Sequence, residues 1–249
     1  MSDRKKPLLI AHRGERILAP ENTLKALHLA LAQGADALEV DVRLCRDRKL
    51  VLLHDAFLWR RFRQRRFTAQ TALSELRNMP FIDREYVYPD RVCTLDEMLE
   101  EFRGRVPINL DAKSMVPATR QYAHSLVRLI RRHNIFDQVW ISSFNPFLVR
   151  QLKAAEPRIR TGFLFQDPLR FYQFIDVFLS SDAWHPHHKN VSRWFVRRAR
   201  RMNKEVYVWT VNRPDVLARV QAHEVDGIIT DAFFRQKPLD DGQRLKDKG

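Results

Sequence analysis

Short runs of apolar and β-branched residues alternate with longer amphipathic stretches along most of the chain. Apolar runs of roughly four to eight residues are typical of buried strands, whereas apolar residues three or four positions apart are typical of helices. The predicted strands are Leu8–His12, Ala37–Leu44, Leu50–His54, Val106–Ala112, Gln138–Ser143, Thr161–Gln166, Asp182–His185, Glu205–Val211 and Gly227–Thr230. Helical spacing is found between them, for example in Asn22–Gln33, Pro117–His133 and Val191–Met202. About eight strand–helix units favour a closed barrel over an open parallel sheet, although the periodicity alone does not decide between the two.

Several helix starts carry local signals. Thr94 and Glu97 have the spacing of a capping box, in which each side chain bonds to the backbone of the other residue. Pro146 follows Asn145 and Pro214 follows Arg213, and proline is favoured in the first turn of a helix. We therefore expect helices to begin at these three positions.

The length and composition suit a single domain. A chain of 249 residues with 45% hydrophobic content can bury a sizeable core. We predict one domain over residues 1–236, with residues 56–92 as an inserted subdomain and residues 237–249 as a polar tail. Cys45 and Cys93 are too few for a disulfide framework and lie in apolar runs, so we interpret them as small buried side chains. The sequence has no apolar run typical of a signal peptide or a membrane span, which predicts a cytoplasmic protein.

The charge balance bears on possible partners. The chain has 44 Lys and Arg residues against 30 Asp and Glu residues, a formal net charge of +14. A basic chain attracts nucleic acid, anionic membranes and phosphorylated metabolites alike. In the insertion, arginines are interleaved with Trp59, Phe62 and Phe67, a pattern that fits peripheral contact with an anionic membrane. It also fits recognition of a bulky substrate or of single-stranded nucleic acid, of which nucleic acid is the less favoured partner. A subdomain with its own small aromatic core and a solvated basic rim is slightly favoured over these functions.

Two carboxylates lie within one apolar strand. Glu39 and Asp41 are two residues apart in the run Ala37–Leu44, so their side chains point to the same face of the sheet. Two like charges this close call for a cation, and oxygen ligands suit Mg²⁺ or Ca²⁺. The alternative from the residues alone is that a basic side chain across the core neutralises one of them.

Other polar residues follow the ends of predicted strands. His12 ends the first strand and Arg13 follows it directly, and His54 ends the third. Imidazole can transfer protons near neutral pH, and arginine can hold a phosphate through two hydrogen bonds. Asp111 and Lys113 also share one strand face, where Asp111 could complete a metal site and Lys113 could stabilise phosphate charge; a simple ion pair between them is the alternative.

These residues belong to a set of motifs that resembles the glycerophosphodiester phosphodiesterase family. The most specific block comprises His12-Arg13-Gly14, Pro20-Glu21-Asn22-Thr23, Gly34-Ala35-Asp36, Glu39-Val40-Asp41-Val42 and His54-Asp55. Weaker pieces follow in Thr94–Leu99, Ser143-Phe144, Trp209–Asn212 and Asp226–Asp231. The resemblance therefore extends from about residue 8 to residue 231 in the order and spacing of the family.

The resemblance implies a fold and a site. The fold would be a TIM (β/α)₈ barrel with a small insertion after the His54-Asp55 motif, and the reaction would convert glycerophosphodiesters into glycerol 3-phosphate and an alcohol. By motif position, the implied metal ligands are Glu39, Asp41 and Asp111, and the implied acid–base pair is His12 and His54. The resemblance further implies that Arg13 and Lys113 hold phosphate and that Trp209 lines the pocket.

The chain departs from the family pattern at a few positions. The third-strand motif is usually Glu-x-Lys, whereas this chain has Asp111-Ala112-Lys113. Aspartate is shorter by about 1.5 Å, so either the ion shifts or a water molecule bridges the gap. Glycine is common in the family where Asn203 and Glu224 stand, and we expect both to be tolerated, Asn203 as a left-handed helix cap.

Two further functions stay open at this point. A lysophospholipase-D-like hydrolase would keep the same chemistry but cleave lysolipids, which the basic aromatic insertion favours. A catalytically weakened barrel would instead bind anionic lipid or nucleic acid, which the change at Asp111 and the net charge of +14 motivate. The retained histidines, Glu39, Asp41 and Lys113 favour an enzyme over such a binding module.

Overall fold

The computed structural model describes residues 6–83, 86–114, 119–166 and 179–232. Its strands are β1 (Leu8–His12), β2 (Ala37–Leu44), β3 (Leu50–Leu52), β4 (Phe81–Asp83), β5 (Tyr86–Tyr88), β6 (Ile108–Ala112), β7 (Val139–Ser143), β8 (Arg160–Phe165), β9 (Ala183–Pro186), β10 (Glu205–Val208) and β11 (Gly227–Thr230). Its α-helices are α1 (Leu24–Ala32), α2 (Trp59–Phe62), α3 (Leu73–Arg77), α4 (Leu95–Phe102), α5 (Thr119–His133), α6 (Pro146–Ala155), α7 (Arg193–Arg201) and α8 (Pro214–Gln221).

Eight of the strands form a closed parallel barrel. They pair in the order β1, β2, β6, β7, β8, β9, β10 and β11, and β11 pairs with β1 again. At the point of closure, Leu9 is opposite Ile228 on one side of β1, and His12 is opposite Glu39 on the other. The predicted TIM barrel is therefore confirmed, including the closure that the periodicity did not decide.

The faces of β2 show how the barrel separates apolar from polar side chains. Leu38, Val40 and Val42 pack into the main hydrophobic cluster beneath the surrounding helices. Glu39 and Asp41 alternate with them and thus point into the barrel. The carboxyl ends of parallel strands meet at one end of a barrel, so polar residues after those ends are gathered there.

One predicted strand does not belong to the barrel. β3 is shorter than the expected Leu50–His54 and pairs antiparallel with β2, with Val42 opposite Leu52. The chain continues β2 beyond the barrel, turns at residues 45–49, and comes back towards the barrel mouth. The other predicted strands exist, with ends that differ by up to three residues.

The predicted helix starts are confirmed. Thr94 and Glu97 form the capping box of α4, with Glu97 N donating to Thr94 Oγ1 at 3.2 Å. Asn145 caps α6 and Arg213 precedes α8, each with proline in the first turn. Asn203 and Glu224 have φ angles of 54° and 60°, which lie in the left-handed region that glycine adopts most readily.

The described part of residues 56–92 contains α2, α3, and the hairpin of β4 and β5. Phe62 and Phe81 are buried against each other, with ring centroids 4.8 Å apart, in a cluster that also holds Val51 and Leu76. This small aromatic core agrees with the interpretation of the insertion as a subdomain with its own core. The division into a single domain with an inserted subdomain stays a prediction, and the polar tail lies outside the described residues.

Both cysteines are buried free thiols, as predicted, and burial raises the pKa of Cys93 to about 12. Among the described residues, no helix has both the length and the apolar composition needed to cross a membrane.

Candidate active site

Three carboxylates meet inside the barrel near its carboxyl end. Glu39 and Asp41 come from β2 and Asp111 from β6, where Asp41 and Asp111 are opposite each other in the strand register. All three are buried, and one oxygen from each lies within 4.8 Å of the others. This compact group of carboxylate oxygens could hold a metal ion.

Two cations partly neutralise this group. Arg13 Nε lies 2.8 Å from Asp41 Oδ2, and Lys113 Nζ lies 3.1 Å from Asp41 Oδ1 and also contacts Asp111. Burial alone would raise the pKa of Asp41, but Lys113 and Arg13 outweigh it and hold that pKa well below its usual value. Burial together with the charges of Asp41 and Asp111 raises the pKa of Glu39. The positive charge of Arg13 and Lys113 thus favours the ionised form of Asp41 over that of Glu39.

The turn after β1 places Arg13. Its φ is 62° and that of Gly14 is 79°, so two consecutive residues have left-handed backbone. A Cβ atom on Gly14 would lie 2.6 Å from the backbone carbon of Ala26 in α1, so only glycine fits. In this conformation Arg13 N donates to Glu39 Oε2 at 3.0 Å, which couples the turn to the carboxylate group.

Asn22 holds Asp41 in place from the same loop. Its Nδ2 donates to Asp41 Oδ2 at 2.9 Å, and its Oδ1 accepts from Asp41 N at 3.0 Å. Asn22 has a φ of 62°, a conformation that asparagine tolerates better than most residues.

Each predicted catalytic histidine has a carboxylate on Nδ1. His12 Nδ1 lies 2.7 Å from Asp231 Oδ1, and His54 Nδ1 lies 2.7 Å from Asp55 Oδ1. Burial alone would raise the pKa of Asp231, but its hydrogen bond with His12 helps lower that pKa to about 2. Hydrogen bonds from His54 and Arg60 likewise outweigh burial and lower the pKa of Asp55. Ionised carboxylates only accept hydrogen bonds, so Nδ1 of each ring carries the proton and Nε2 is left for chemistry.

His54 reaches the site by a different route from the one predicted. The sequence predicts His54 at the carboxyl end of a strand, as for His12, but β3 runs antiparallel to the barrel strand β2. Because β3 is antiparallel to β2, the chain returns to the barrel mouth after leaving it. Leu53 N then donates a hydrogen bond to Asp41 O at 2.9 Å. The backbone next to His54 is thereby fixed beside a member of the carboxylate group.

The insertion is tied to the site through a buried glutamate. Glu21 Oε1 accepts from Arg60 at 2.5 Å, and Glu21 Oε2 accepts from Arg61 at 2.7 Å. Arg13 Nη1 also donates to Glu21 Oε1, at 3.3 Å. Burial would raise the pKa of Glu21, but the charge of Arg13 and the hydrogen bond from Arg60 outweigh burial, and the pKa falls to about 2.

A cavity of about 240 Å³ opens over these groups. Seven of the eight predicted site residues line it: His12, Arg13, Glu39, His54, Asp111, Lys113 and Trp209. The eighth, Asp41, is fully buried behind them. Trp209 packs edge-on against Phe144 at 5.4 Å between ring centroids, and Trp209 Nε1 donates to the backbone oxygen of His185 at 2.8 Å. The structure therefore brings the whole predicted set together around one opening.

Comparison with known proteins decides the family. The model of the glycerophosphoryl diester phosphodiesterase family matches residues 12–233. The chain belongs to this family. A glycerophosphodiester phosphodiesterase of Caldanaerobacter subterraneus subsp. tengcongensis is 31% identical over 91% of this chain and 94% of its own length. As a member of the family, the chain is a phosphoric diester hydrolase that acts on glycerophosphodiesters.

Solved structures of two further proteins are similar to this chain. The first, a glycerophosphodiester phosphodiesterase from Parabacteroides distasonis, has a TM-score of 0.79 at 22% identity and covers 92% of this chain and 94% of its own, which supports the fold. An Oleispira antarctica phosphodiesterase in complex with the product sn-glycerol-3-phosphate has a TM-score of 0.82 at 26% identity, covering 91% of this chain and 93% of its own.

The sequence pattern did not identify the residues that hold the predicted site residues in position through hydrogen bonds. Asp55 and Asp231 orient the two histidines, and Asn22 holds Asp41 in place. Glu21 accepts hydrogen bonds from arginine side chains. All four lie in the motifs that carry the resemblance. Their position in these motifs is the sequence signal that points to them, but it does not indicate what they do. Arg60 and Arg61 had no signal beyond their position in an arginine-rich segment.

Proposed function

We propose that the chain hydrolyses glycerophosphodiesters to sn-glycerol 3-phosphate and an alcohol, with a divalent ion, Mg²⁺ or Ca²⁺, and with His12 and His54 as the acid–base pair. One observation carries the proposal: a single cavity is lined by members of the acidic group, two carboxylate-bound histidines and the cationic side chains of Arg13 and Lys113. The product found with the Oleispira antarctica phosphodiesterase supports the assignment of the phosphate-containing product.

The acidic group fits a hard divalent cation. Among the described residues, Asp111 Oδ1 is buried without a hydrogen-bond partner, and Glu39 lies at 3% exposure beside two further carboxylates. Unpaired buried oxygens of this kind are costly unless a cation takes them as ligands. Glu39, Asp41 and Asp111 would hold the ion, which would act as a Lewis acid on the phosphate and help position it. Asp111 occupies the place of the usual glutamate and still has an oxygen within 4.8 Å of the other two ligands, which supports its role.

Arg13 and Lys113 would bind the phosphate. Both side chains line the cavity, and both are held beside the acidic group by ion pairs to Asp41. Their fixed charges lie where negative charge develops as the phosphorus is attacked, so they would stabilise the transition state without first having to reorient.

His12 and His54 would move the protons. With Nδ1 committed to a carboxylate, Nε2 of one ring accepts a proton from the attacking oxygen, while Nε2 of the other donates a proton to the leaving alkoxide. The carboxylate also stabilises the imidazolium that forms during the reaction. The attacking oxygen belongs either to water or to a neighbouring hydroxyl of the substrate, and the second route passes through a cyclic phosphate that phosphorus NMR would detect.

The direct test is hydrolysis of glycerophosphocholine, followed by release of glycerol 3-phosphate in a coupled assay. We expect turnover with added Mg²⁺ or Ca²⁺, loss of turnover with a chelator, and recovery when the ion is restored. Activity that is unchanged after complete chelation would exclude the metal-dependent mechanism, and no turnover with any ion would favour the weakened binding barrel.

A second substrate class has structural support. Phe144 is 45% exposed at the mouth and packs against Trp209, which gives the glycerol part of the substrate an apolar surface. Lysolipids would place their acyl chain there, as in the lysophospholipase-D-like alternative. Measuring kcat/KM for glycerophosphocholine and for lysophosphatidylcholine in one assay would identify the preferred class.

A further inference from the structure

Large apolar side chains are exposed at the end of the barrel that carries the cavity. Six of them, each 41–74% exposed, lie on segments near the barrel mouth, and we call them the rim cluster. The rim cluster consists of Ile17, Leu18, Phe57, Trp59, Phe67 and Phe147. Scattered exposed apolar residues are ordinary, but a group of them around an opening indicates an interaction surface.

The three segments that carry the rim cluster are held at the same end of the barrel. Ile17 and Leu18 belong to the loop after β1, where the neighbouring Arg16 contacts Asp231 at 3.3 Å. Phe57, Trp59 and Phe67 belong to the insertion, which bonds to Glu21 of that same loop through Arg60 and Arg61. Phe147 lies in the first turn of α6, directly after β7 and the cavity-lining Phe144.

Within the insertion, the aromatic surface carries available positive charge. The guanidinium carbons of Arg63 and Arg65 lie 5.8 and 5.7 Å from the centre of the Trp59 ring. Neither arginine has a carboxylate partner within the described residues, whereas the neighbouring Arg66 is paired with Glu75 at 2.8 Å. Phe57 and Phe67 pack together beside them, with centroids 5.2 Å apart. Aromatic rings next to unpaired arginines suit the interface of an anionic membrane, where rings enter the head-group region and guanidinium groups meet lipid phosphates.

We propose that the rim cluster, with Arg63 and Arg65, docks on an anionic lipid surface and turns the cavity towards it. The proposal extends the proposed function, because the docked face is the one through which a phosphodiester would enter. A symmetric pair of chains is a poorer occupant, since a two-fold contact through this surface would bring the unpaired arginines of both copies together.

The test is cosedimentation of the full chain with vesicles. One set contains phosphatidylcholine alone, and the other contains three parts phosphatidylcholine to one part phosphatidylserine. We expect binding to the anionic vesicles at low salt, little binding to the neutral ones, and partial release as salt rises, because salt screens the arginines but not the aromatic rings.

Two variants and a matched control locate the surface. Arg63→Gln/Arg65→Gln should weaken binding to anionic vesicles roughly 25-fold, and Trp59→Ser should remove most of the binding that persists at high salt. The control, Arg103→Gln/Arg201→Gln, removes the same charge from exposed positions that lead into β6 and β10 at the opposite end of the barrel. It should change binding less than twofold, roughly, if the rim is the docking surface.

Hydrolysis of glycerophosphocholine is measured in parallel without vesicles, and it should be unchanged in all three variants. Equal binding to neutral and anionic vesicles, or an equal loss in the control and the rim variants, would overturn the proposal. The proposal would also be overturned if the unaltered chain sedimented as a dimer and the Trp59→Ser variant sedimented as a monomer. Failure of the hydrolysis assay in the unaltered chain would instead count against the proposed function and leave the docking result intact.

Discussion

Arg60 Nε donates a hydrogen bond to Asp55 Oδ2 at 2.6 Å, and the other oxygen of Asp55 holds His54 Nδ1 at 2.7 Å. Arg60 also binds Glu21, so one side chain of the insertion connects the carboxylate behind His54 to the glutamate beside Arg13. We infer that Arg60 is a positioning residue for His54.

Replacing Arg60 should therefore impair turnover more than substrate binding. We expect Arg60→Gln to lower kcat by about 10- to 100-fold with a small change in KM, and Arg60→Lys to restore part of the loss. Without Arg60 the pKa of Asp55 rises, so the acidic limb of the pH–rate profile should move to higher pH. An unchanged kcat, or a loss seen only in KM, would contradict this role.

The two histidines should each be essential for proton transfer. We expect His12→Ala and His54→Ala to lower kcat by roughly 10²–10⁴-fold, measured as release of glycerol 3-phosphate. His124→Ala is the matched control, since His124 is exposed on α5 and should have no effect. Wild-type rates in both active-site variants would refute the assignment, provided that circular dichroism shows folded protein.

Asp111 allows the metal site to be tested without measuring activity. Added Mg²⁺ or Ca²⁺ should raise Tm by roughly 5–10 °C when the ion is at about 100 times its Kd. Asp111→Asn keeps the size but removes the charge and should abolish most of this shift, whereas Asp111→Glu should preserve it. Calorimetry with and without the ion checks both, and an identical shift in Asp111→Asn would remove Asp111 from the ligand set.

Glu21 should make the free energy of unfolding depend on pH in the acidic range. Its pKa falls from the ordinary 4.5 to about 2 on folding, so the stabilisation is complete above pH 4.5 and is lost as the pH falls towards 2. We expect Glu21→Gln to lower the free energy of unfolding by on the order of 3 kcal/mol near neutral pH, and by much less near pH 2. Urea denaturation at both pH values measures the difference, and a loss of equal size at both would contradict this linkage.

Gly14 should tolerate no side chain. Gly14 and Gly104 both have positive φ, 79° and 75°, but only at Gly14 would a Cβ atom meet other atoms, at 2.6 Å. We expect Gly104→Ala to cost about 1 kcal/mol, from backbone strain alone, and Gly14→Ala to cost about 3 kcal/mol or more. Denaturant unfolding of the two variants compares them directly, and equal costs would show that α1 can move away.

The parts of the fold that could be predicted are those encoded locally. The two-residue spacing of Glu39 and Asp41 placed both carboxylates on one face, and the capping signal at Thr94 located a helix start. Asn203 has the left-handed conformation expected of it. Each of these depends on a few consecutive residues, so the sequence pattern contains the necessary information.

The parts that could not be predicted depend on pairing between distant segments. The direction of β3 depends on β2 extending past the barrel before the chain turns back. An apolar run has the same sequence pattern whether it forms a parallel or an antiparallel strand, so the pattern does not predict this direction. The bonds from Arg60 to Asp55 and Glu21 depend on how the insertion folds back over the mouth. Its composition shows many arginines but not which of them turn inwards.

The contact between His12 and Asp231 joins residues that are 219 positions apart. During synthesis, the ribosome releases the first strand long before the segment that contains Asp231. A partly made chain can thus contain both histidines and all three carboxylates of the acidic group, yet still lack the group that orients His12. Catalytic competence is therefore expected only after the last strand has been inserted into the barrel.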